Sequence, residues 1–276
     1  MKSAIKNFLL NLEFGEVKMH KNMAIVPIFT PIEMEYLTLG EAIEDNLIEI
    51  TEVGPGAIPQ LKVVNHANLP VLILNGEELI GIKQNRILNT SILVKENSEV
   101  IVPVSCTERG RWKELSEKAS DFAIATPKLR MRKLSSVTKS LKESRTFKAD
   151  QIIVWSGVEG VLASGGVASP TFAMSDAFKA KNDEIDEYLI TFECLPNQKG
   201  LLVFIDGEIV GFEALSSEAA YRKLHGKFIK SYALEALLRG KEWYRISDKD
   251  VESKAVEFFK HVLICKEEKY KSVAQV

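Results

Sequence analysis

The sequence predicts an α+β protein, with an antiparallel, β-rich N-terminal half (a sheet or a sandwich) followed by helices and a β-hairpin. Between residues 61 and 104, short apolar runs follow one another too closely for helices to lie between them. After residue 112, apolar residues recur at spacings of three and four, which is the period of an amphipathic helix. Strands grouped first and helices grouped later favour α+β over alternating βαβ units.

The length and composition of the chain indicate an ordinary globular protein. It has 276 residues, 46% of them apolar and 27% charged, which is enough for a substantial core. We expect one α+β domain over 1–276, with a β-rich subdomain over about 20–112 and an α-rich subdomain over about 113–265. The net charge of −2 gives no reason to expect a nucleic acid or a membrane as a partner.

The N-terminal part of the chain alternates between helical and strand patterns. Thr38 and Glu41 have the spacing of a capping box, in which each side chain accepts a hydrogen bond from the backbone amide of the other residue. No small-residue cleavage site follows the first apolar patch, so we expect a helix there and not a signal peptide. The predicted elements are a helix over 3–13, a strand over 23–29, a helix from Thr38 to about Asn46, a strand over 47–53 and a turn-rich loop over 54–59.

The segment from Leu61 to Cys106 is predicted to be β structure throughout. Asn75 and Gly76 lie between two apolar runs, and Asn-Gly readily adopts the two positive φ angles of a type I′ turn. We therefore predict a hairpin over 71–82. The other predicted strands cover 61–66, 86–94 and 100–106, and the charged loop over 95–99 separates the last two.

The part of the chain after Trp112 is predicted to be mainly helical. Asp150 has the position of an N-cap before an apolar-periodic run. Asp206-Gly207, between two apolar runs, predicts a second type I′ hairpin. The other predicted elements are a short helix over 113–122, a weakly helical basic segment over 126–150, a flexible loop over 163–170, and helices over 176–194, 217–239 and 249–264.

The segment 126–150 is strongly basic. It has eight Lys or Arg against two acidic residues, a net charge of +6, so the rest of the chain carries about −8. Its functional readings are a phosphate-binding lid or an RNA contact, and its alternatives are a solvated helix face or a mobile loop. Phe147 is its only aromatic residue, so it offers no platform for base stacking.

Residues 71–112 hold the candidate functional residues, because polar and charged side chains interrupt apolar strands there. Cys106 ends a strand and is followed by Arg109 and Arg111. Neighbouring cations and turn amides lower the pKa of a thiol, which would make Cys106 a nucleophile. The alternative is a buried cysteine that acts as a small apolar residue.

Arginines and one tryptophan of this stretch are candidates for binding a ligand. A guanidinium forms paired, charge-assisted hydrogen bonds with phosphate, and the candidates are Arg86, Arg109 and Arg111. Alternatively these groups form a structural network with the carboxylates Glu77, Glu78 and Glu108. Trp112 either stacks on a base or seals the edge of the sheet.

Carboxylates and amides complete the candidate site. Glu77 and Glu108 are candidate catalytic acids or bases, or ligands of a divalent cation such as Mg²⁺. For Glu77 the alternative is a solvated position in the hairpin. Gln84 and Asn85 carry amides suited to a base edge or a sugar, or to holding a β-bulge.

Several common chemistries lack their sequence signature. The three cysteines are far apart and show no CxxC or Cys/His spacing, so we expect no zinc site and a reducing compartment. The sequence has no Walker loop, no dinucleotide-binding glycine fingerprint and no GxSxG elbow.

Two motifs carry a resemblance to a known family. The segments GEELIGIKQNR (76–86) and VSCTERGRW (104–112) resemble the bacterial and archaeal family named for its association with ADP-ribosylglycohydrolases and rhodanese-like phosphatases. The similarity covers roughly residues 20–265 and is weaker in the C-terminal half. The gene associations of that family imply a role in NAD or ADP-ribose metabolism.

These observations support three hypotheses. The first is a cytoplasmic protein that binds, and as an enzyme would process, ADP-ribose, NAD or a related phosphorylated nucleotide. The second is a non-catalytic binding or scaffold module, in which 71–112 is structural and 126–150 contacts a partner or RNA. The third is a hydrolase or transferase that depends on Cys106. We expect no membrane partner and leave a homo-oligomer open. The first hypothesis requires the two motifs to meet on one face of the sheet.

Overall fold

The computed structural model describes residues 4–54, 59–240 and 246–274, and it confirms the α+β prediction. Its helices are α1 (Ala4–Leu9), α2 (Leu39–Glu44), α3 (Pro127–Ser144), α4 (Gln151–Gly165), α5 (Met174–Ala180), α6 (Asn182–Thr191), α7 (Glu218–Leu238) and α8 (Asp248–Ile264). None of the described helices has the length and apolar character of a membrane span.

The strands lie mainly in the N-terminal half, and two more follow α6. They are β1 (Glu13–Phe14), β2 (Lys18–His20), β3 (Met23–Phe29), β4 (Leu37–Thr38), β5 (Ile48–Glu52), β6 (Gln60–Asn65), β7 (Val71–Ile73), β8 (Glu77–Ile80), β9 (Arg86–Leu88), β10 (Ile92–Val94), β11 (Ser98–Cys106), β12 (Ser120–Ile124), β13 (Gly200–Ile205) and β14 (Glu208–Ala214). The chain forms two compact units, and the predicted organisation as one domain with two subdomains stays a prediction.

The first unit comprises residues 1–34 and 184–269. Its antiparallel sheet has the order β1-β3-β13-β14, and β2 also pairs with β3. Apolar residues of β3 and β13 pack against Val251, Ala255 and Phe259 of α8. Asp206 and Gly207 have φ angles of 53° and 77°, so the predicted type I′ hairpin between β13 and β14 is confirmed.

The second unit comprises residues 35–183 and 270–276. Its six-stranded antiparallel sheet has the order β12-β8-β9-β11-β6-β5. A smaller sheet has the order β10-β7-β4, in which β4 and β7 are parallel. Side chains of both sheets share one apolar core. Helices α3 and α4 pack on each other, and α4 also contacts β11.

Two helix caps were predicted correctly. Thr38 accepts from the Glu41 amide, and the Glu41 carboxylate accepts from the Thr38 amide, which is the expected capping box. The Asp150 side chain accepts from the Ile152 amide at 2.9 Å and caps α4.

The predicted strand over 23–29 is β3. Of the predicted loop over 54–59, residues 55–58 lie outside the described residues.

Two local predictions were wrong. The hairpin over 71–82 does not form, because β7 pairs with β10 and β4 whereas β8 pairs with β9 and β12. The helix over 113–122 is also absent. The backbone amides of Leu115 and Ser116 donate instead to the Gly81 carbonyl at 2.8 Å, and residues from Ser120 onward join β8 as β12.

Other predicted boundaries need revision. The first helix is shorter than 3–13, the strand over 86–94 is interrupted between β9 and β10, and the helix over 176–194 is divided into α5 and α6. The basic segment forms α3 and the turn after it, and the buried residues of α3 include Leu129, Lys133 and Val137.

Candidate functional site

The two polar motifs meet in the second unit. Arg86 of β9 lies opposite Cys106 of β11 in the antiparallel register. Just beyond this pair, the Thr107 amide donates to the Asn85 carbonyl at 2.9 Å, and the Asn85 amide donates to the Glu108 carboxylate at 3.1 Å. Residues 76–86 and 104–112 are therefore held together by strand pairing and by polar contacts beyond the strand ends.

Arg86 forms a buried ion pair. Its guanidinium donates to both carboxylate oxygens of Glu52, at 3.1 and 3.3 Å. The Arg86 side chain is 0% exposed and the Glu52 side chain 7%. Glu52 lies on β5, far from both motifs in sequence, and no sequence signal indicated this partner. A fully buried Arg86 has a structural partner, although this partner is Glu52 and not one of the carboxylates Glu77, Glu78 and Glu108, and it leaves no surface for a phosphate.

Arg111 hydrogen-bonds to residues of both motifs. Its guanidinium donates to the Glu108 carboxylate, with the shortest distance 2.6 Å, and to Asn85 Oδ1 at 3.0 Å. It also donates to the carbonyl oxygens of Ile82 and Lys113. Arg111 thus connects the loop after β8 with the loop after β11. Its role in the structure is that of a clamp between the two backbones.

Arg109 differs from the other two arginines because it lies at the surface. Its side chain is 56% exposed, donates to Glu159 of α4 at 2.8 Å, and lies over the Trp155 ring at 5.2 Å. The backbone amides of Arg109 and Gly110 both donate to the Thr171 carbonyl at 2.9 Å. Trp155 was not among the predicted site residues. It lies on α4, the helix that begins at the predicted N-cap Asp150.

Trp112 presents an aromatic surface to solvent. Its side chain is 49% exposed, and the Lys83 ammonium is 5.6 Å from the ring centroid. The guanidinium carbon of Arg86 is 5.9 Å from the same ring. The Lys113 amide donates to the Lys83 carbonyl at 3.2 Å, so the backbones that carry the indole and the ammonium are joined.

The carboxyl groups of the first motif are buried. Glu77 accepts from the Leu74 amide at 2.6 Å and thereby holds the turn before β8. Glu78 accepts from the Thr107 hydroxyl at 2.7 Å, and its Oε2 has no hydrogen-bond partner among the described residues. Burial raises the pKa of Glu78 to about 8, against the opposing effect of the Thr107 hydrogen bond.

Cys106 is fully buried at the end of β11. Burial raises the pKa of its thiol, and the nearby Arg86 only partly opposes this effect. An activated nucleophile would have a lowered thiol pKa, so the shift at Cys106 is in the opposite direction. Its backbone amide and carbonyl are both bound by the Gln151 side chain, at 2.9 and 2.8 Å. The environment of Cys106 fits the alternative of a buried apolar residue.

The two predicted amide side chains are also buried. Gln84 donates to the Arg109 carbonyl at 3.5 Å, and Asn85 donates to the Ser175 hydroxyl at 3.2 Å. Both therefore support loops of the second unit. Within the described ranges, no group of three or more His, Cys, Asp or Glu side chains is arranged to hold a metal ion. The sequence did not indicate the role of Thr107 within the second motif. It also did not indicate the residues that contact the motifs from other elements, which are Glu52, Gln151, Trp155 and Ser175.

Comparison with known families now decides the relationship suggested by the two motifs. The model of the ARG and Rhodanese-Phosphatase-superfamily-associated Protein domain, ARPP-1, matches residues 11–276. The chain belongs to the ARPP-1 family. Neither a curated protein nor a solved structure matches it. The match establishes the family and does not establish a substrate or a reaction.

Within the ARPP-1 domain, burial divides the predicted site residues into two groups. Seven are buried or nearly buried, and they are Glu77, Gln84, Asn85, Arg86, Cys106, Glu108 and Arg111. Arg109 and Trp112 are exposed. A ligand that approaches the two motifs from solvent would therefore reach Arg109 and Trp112 before the buried residues.

Proposed function

We propose that the protein binds a phosphorylated nucleotide of the ADP-ribose or NAD type on its Trp112 face, defined here as Lys83, Trp112 and Lys113. The single observation that carries the proposal is a half-exposed indole with an ammonium 5.6 Å from its ring. An indole offers a stacking surface to any base, and a lysine offers donors and charge to phosphate oxygens.

The backbone beneath this face is held in place before a ligand arrives. Arg111 binds the carbonyl of Ile82, which precedes Lys83, and the carbonyl of Lys113, which follows Trp112. The Lys113–Lys83 backbone hydrogen bond joins the same two segments. A preorganised surface loses less conformational freedom on binding, which favours affinity. The buried part of the motif thus has a role in binding without contact with the ligand.

The proposal concerns binding and does not include a chemical step. Glu77 and Cys106 are 0% exposed and Glu108 is 4% exposed, so none of the candidate catalytic groups lies on the Trp112 face. Both Glu77 and Glu108 already accept hydrogen bonds from backbone amides. A bound nucleotide would meet Lys83 and Trp112 and would not meet these groups.

Isothermal titration calorimetry with ADP-ribose, NAD and nucleoside phosphates tests the proposal. We expect saturable heat for at least one of them, and a loss of roughly 10- to 100-fold in affinity for Trp112→Ala, because a stacked base contributes about 1–3 kcal/mol. Leu115→Ala is the matched control, since Leu115 is an exposed apolar residue of the same loop. No heat with folded wild type, or equal affinity in Trp112→Ala, would refute the proposal.

A second candidate is a scaffold module whose basic helix contacts RNA, and one feature of α3 favours it. Four cations recur on its exposed face: Lys128, Arg132, Lys139 and Lys142. Fluorescence anisotropy with a labelled single-stranded RNA at low salt tests this candidate. Binding that disappears in a Lys128→Glu/Arg132→Glu variant supports it, and binding that survives this variant contradicts it.

A further inference from the structure

A groove in the first unit lies outside everything described so far. It runs between the β1–β2 connection and the first turns of α8 and has a volume of about 550 Å³. This volume is within the range of about 300–1,000 Å³ typical of small-molecule sites. We call it the α8 groove, and it is lined by residues of β1, the β1–β2 connection, β3 and α8.

The floor of the α8 groove is apolar. Val26 of β3 and Val251 and Ala255 of α8 belong to the apolar core of the first unit and are nearly fully buried. Phe14 and Val256 stand higher, with 49% and 52% of their surface exposed. A ligand with an apolar body would remove this exposed surface from water, which is favourable in proportion to the area covered.

The rim of the α8 groove is acidic. It carries the carboxylates of Glu16, Asp248 and Glu252, and none of them forms an ion pair within the part of the chain that the structure describes. Asp248 also lies in the first turn of α8, where a negative charge stabilises the helix terminus. Glu16 lies outside the described helices, and Glu252 lies beyond the first turn of α8. Stabilisation of the helix terminus therefore does not explain these two carboxylates.

Cations of α8 lie on the neighbouring side of the helix. Lys249 and Lys260 line an adjoining depression, which shares Glu252 and Val256 with the α8 groove. They are not part of the lining of the α8 groove. Like charges around a cleft with apolar walls add up to a field that attracts the opposite charge. The groove thus combines an apolar floor with three carboxylates at its mouth.

We propose that the α8 groove binds a small amphipathic cation, with a compact apolar body on the floor and an ammonium group between the rim carboxylates. Anionic ligands, including the nucleotides proposed for the Trp112 face, are repelled by three carboxylates. A small polar cation without an apolar body gains nothing from the floor. The site belongs to the first unit and does not depend on the proposed function.

Methyl NMR of the full chain tests this assignment, with phenethylamine as the probe. The methyl signals of Val26, Val251, Ala255 and Val256 report on the groove directly. We expect saturable shifts with phenethylamine, and at least about tenfold weaker binding of the neutral analogue 2-phenylethanol, because it lacks the charge. The anionic 3-phenylpropanoate is expected to leave the signals unchanged.

Charge variants separate the rim from the floor. Glu16→Gln/Glu252→Gln is expected to weaken phenethylamine binding severalfold towards the level of 2-phenylethanol, because Asp248 alone of the three rim carboxylates remains. The control variant, Glu193→Gln/Glu257→Gln, removes the same charge from exposed positions of the first unit outside the groove and should bind like wild type.

Three results would overturn the proposal. The first is the absence of shifts with phenethylamine, and the second is equal binding of 2-phenylethanol. The third is a shift of the same methyl signals with protein concentration alone, which would mean that a second copy of the chain occupies the groove.

Discussion

Arg111 and Arg109 are two residues apart and have different surroundings. Arg111 binds the buried Glu108 carboxylate, Asn85 and two backbone carbonyls, and its side chain is only 12% exposed. Arg109 binds Glu159, and both side chains of that pair are about half exposed. Solvent weakens an exposed pair, whereas a buried carboxylate that loses its cation has no water to replace it. The two arginines therefore differ in their importance for stability.

Replacing these arginines one at a time measures that difference. We expect Arg111→Ala to reduce the free energy of unfolding by about 3–5 kcal/mol, because Glu108 is left buried and unpaired. Arg109→Ala is the matched control and should cost no more than about 1 kcal/mol, the value of an exposed ion pair with a cation–π contact. Urea unfolding monitored by circular dichroism gives both values. Equal losses in the two variants would contradict the structural role assigned to Arg111.

Glu78 makes the stability of the fold depend on pH. Its pKa is about 8 in the folded protein against an ordinary value of 4.5, so the folded state holds a proton that the unfolded state has released. The contribution of Glu78 to stability is therefore greatest below pH 4.5 and falls as the pH rises towards 8. The charged groups that act on Glu78 are Glu108, Lys179 and Asp176.

The Glu78→Gln variant isolates this effect, since glutamine fills the same volume and does not ionise. We expect its stability relative to wild type to rise by several kcal/mol between about pH 5 and pH 8.5. Thermal unfolding of both proteins across that pH range measures the difference. A difference that is constant with pH would show that Glu78 is not a buried acid with a raised pKa.

The sequence identified the polar residues of the two motifs, but not the residues from other elements that contact them. Residues 76–86 and 104–112 stand out because charged side chains interrupt apolar strands, which is a local property. Whether a guanidinium faces solvent depends on elements far along the chain. Glu52 comes from β5 and Gln151 and Trp155 from α4, and strand order and helix packing bring them to the motif. Neither the strand order nor the helix packing can be predicted from the spacing of residues in the sequence.

At the scale of elements, two similar segments show where local turn signals fail. Asp206-Gly207 has positive φ at both residues and closes a hairpin. At Asn75-Gly76 only Gly76 has a positive φ, of 83°, and the Glu77 amide donates to the Leu74 carbonyl at 3.1 Å, as in a type II turn. The Glu77 carboxylate also binds the Leu74 amide, which holds this turn. Pairing of the flanking strands with more distant strands overrides the hairpin signal.

Two glycines of α4 test the packing of α3 on α4. A methyl group at Gly157 would lie 2.4 Å from Leu129 Cδ1 of α3, whereas one at Gly160 would meet nothing within 4 Å. We expect Gly160→Ala to raise the free energy of unfolding by roughly 0.5–1 kcal/mol, because alanine favours the helix. Gly157→Ala should lower it by about 1–3 kcal/mol through overpacking. Urea unfolding measures both, and changes of the same sign would contradict the close α3–α4 contact.

At the scale of the whole molecule, the sequence predicted the class of fold well because that class follows from local periods. Apolar alternation marks the strands and a spacing of three to four marks the helices, and both survive small errors in boundaries. Which residues of the stretch 71–112 are buried and which are exposed was harder to predict. The stretch 71–112 contains both a buried clamp and an exposed aromatic face, which composition does not separate.

The central claim is that the exposed Trp112 face contacts the nucleotide while the buried clamp holds the loops. Thermal unfolding of wild type and Trp112→Ala, each with and without excess ADP-ribose, tests it most directly. At about 100 times the dissociation constant, we expect the Tm of wild type to rise by roughly 5–10 °C. Trp112→Ala is expected to have a lower Tm than wild type without ligand, because it loses the contacts with Lys83 and Arg86, and to show no comparable rise with ligand. An equal rise in both proteins, or no rise in wild type, would contradict the claim.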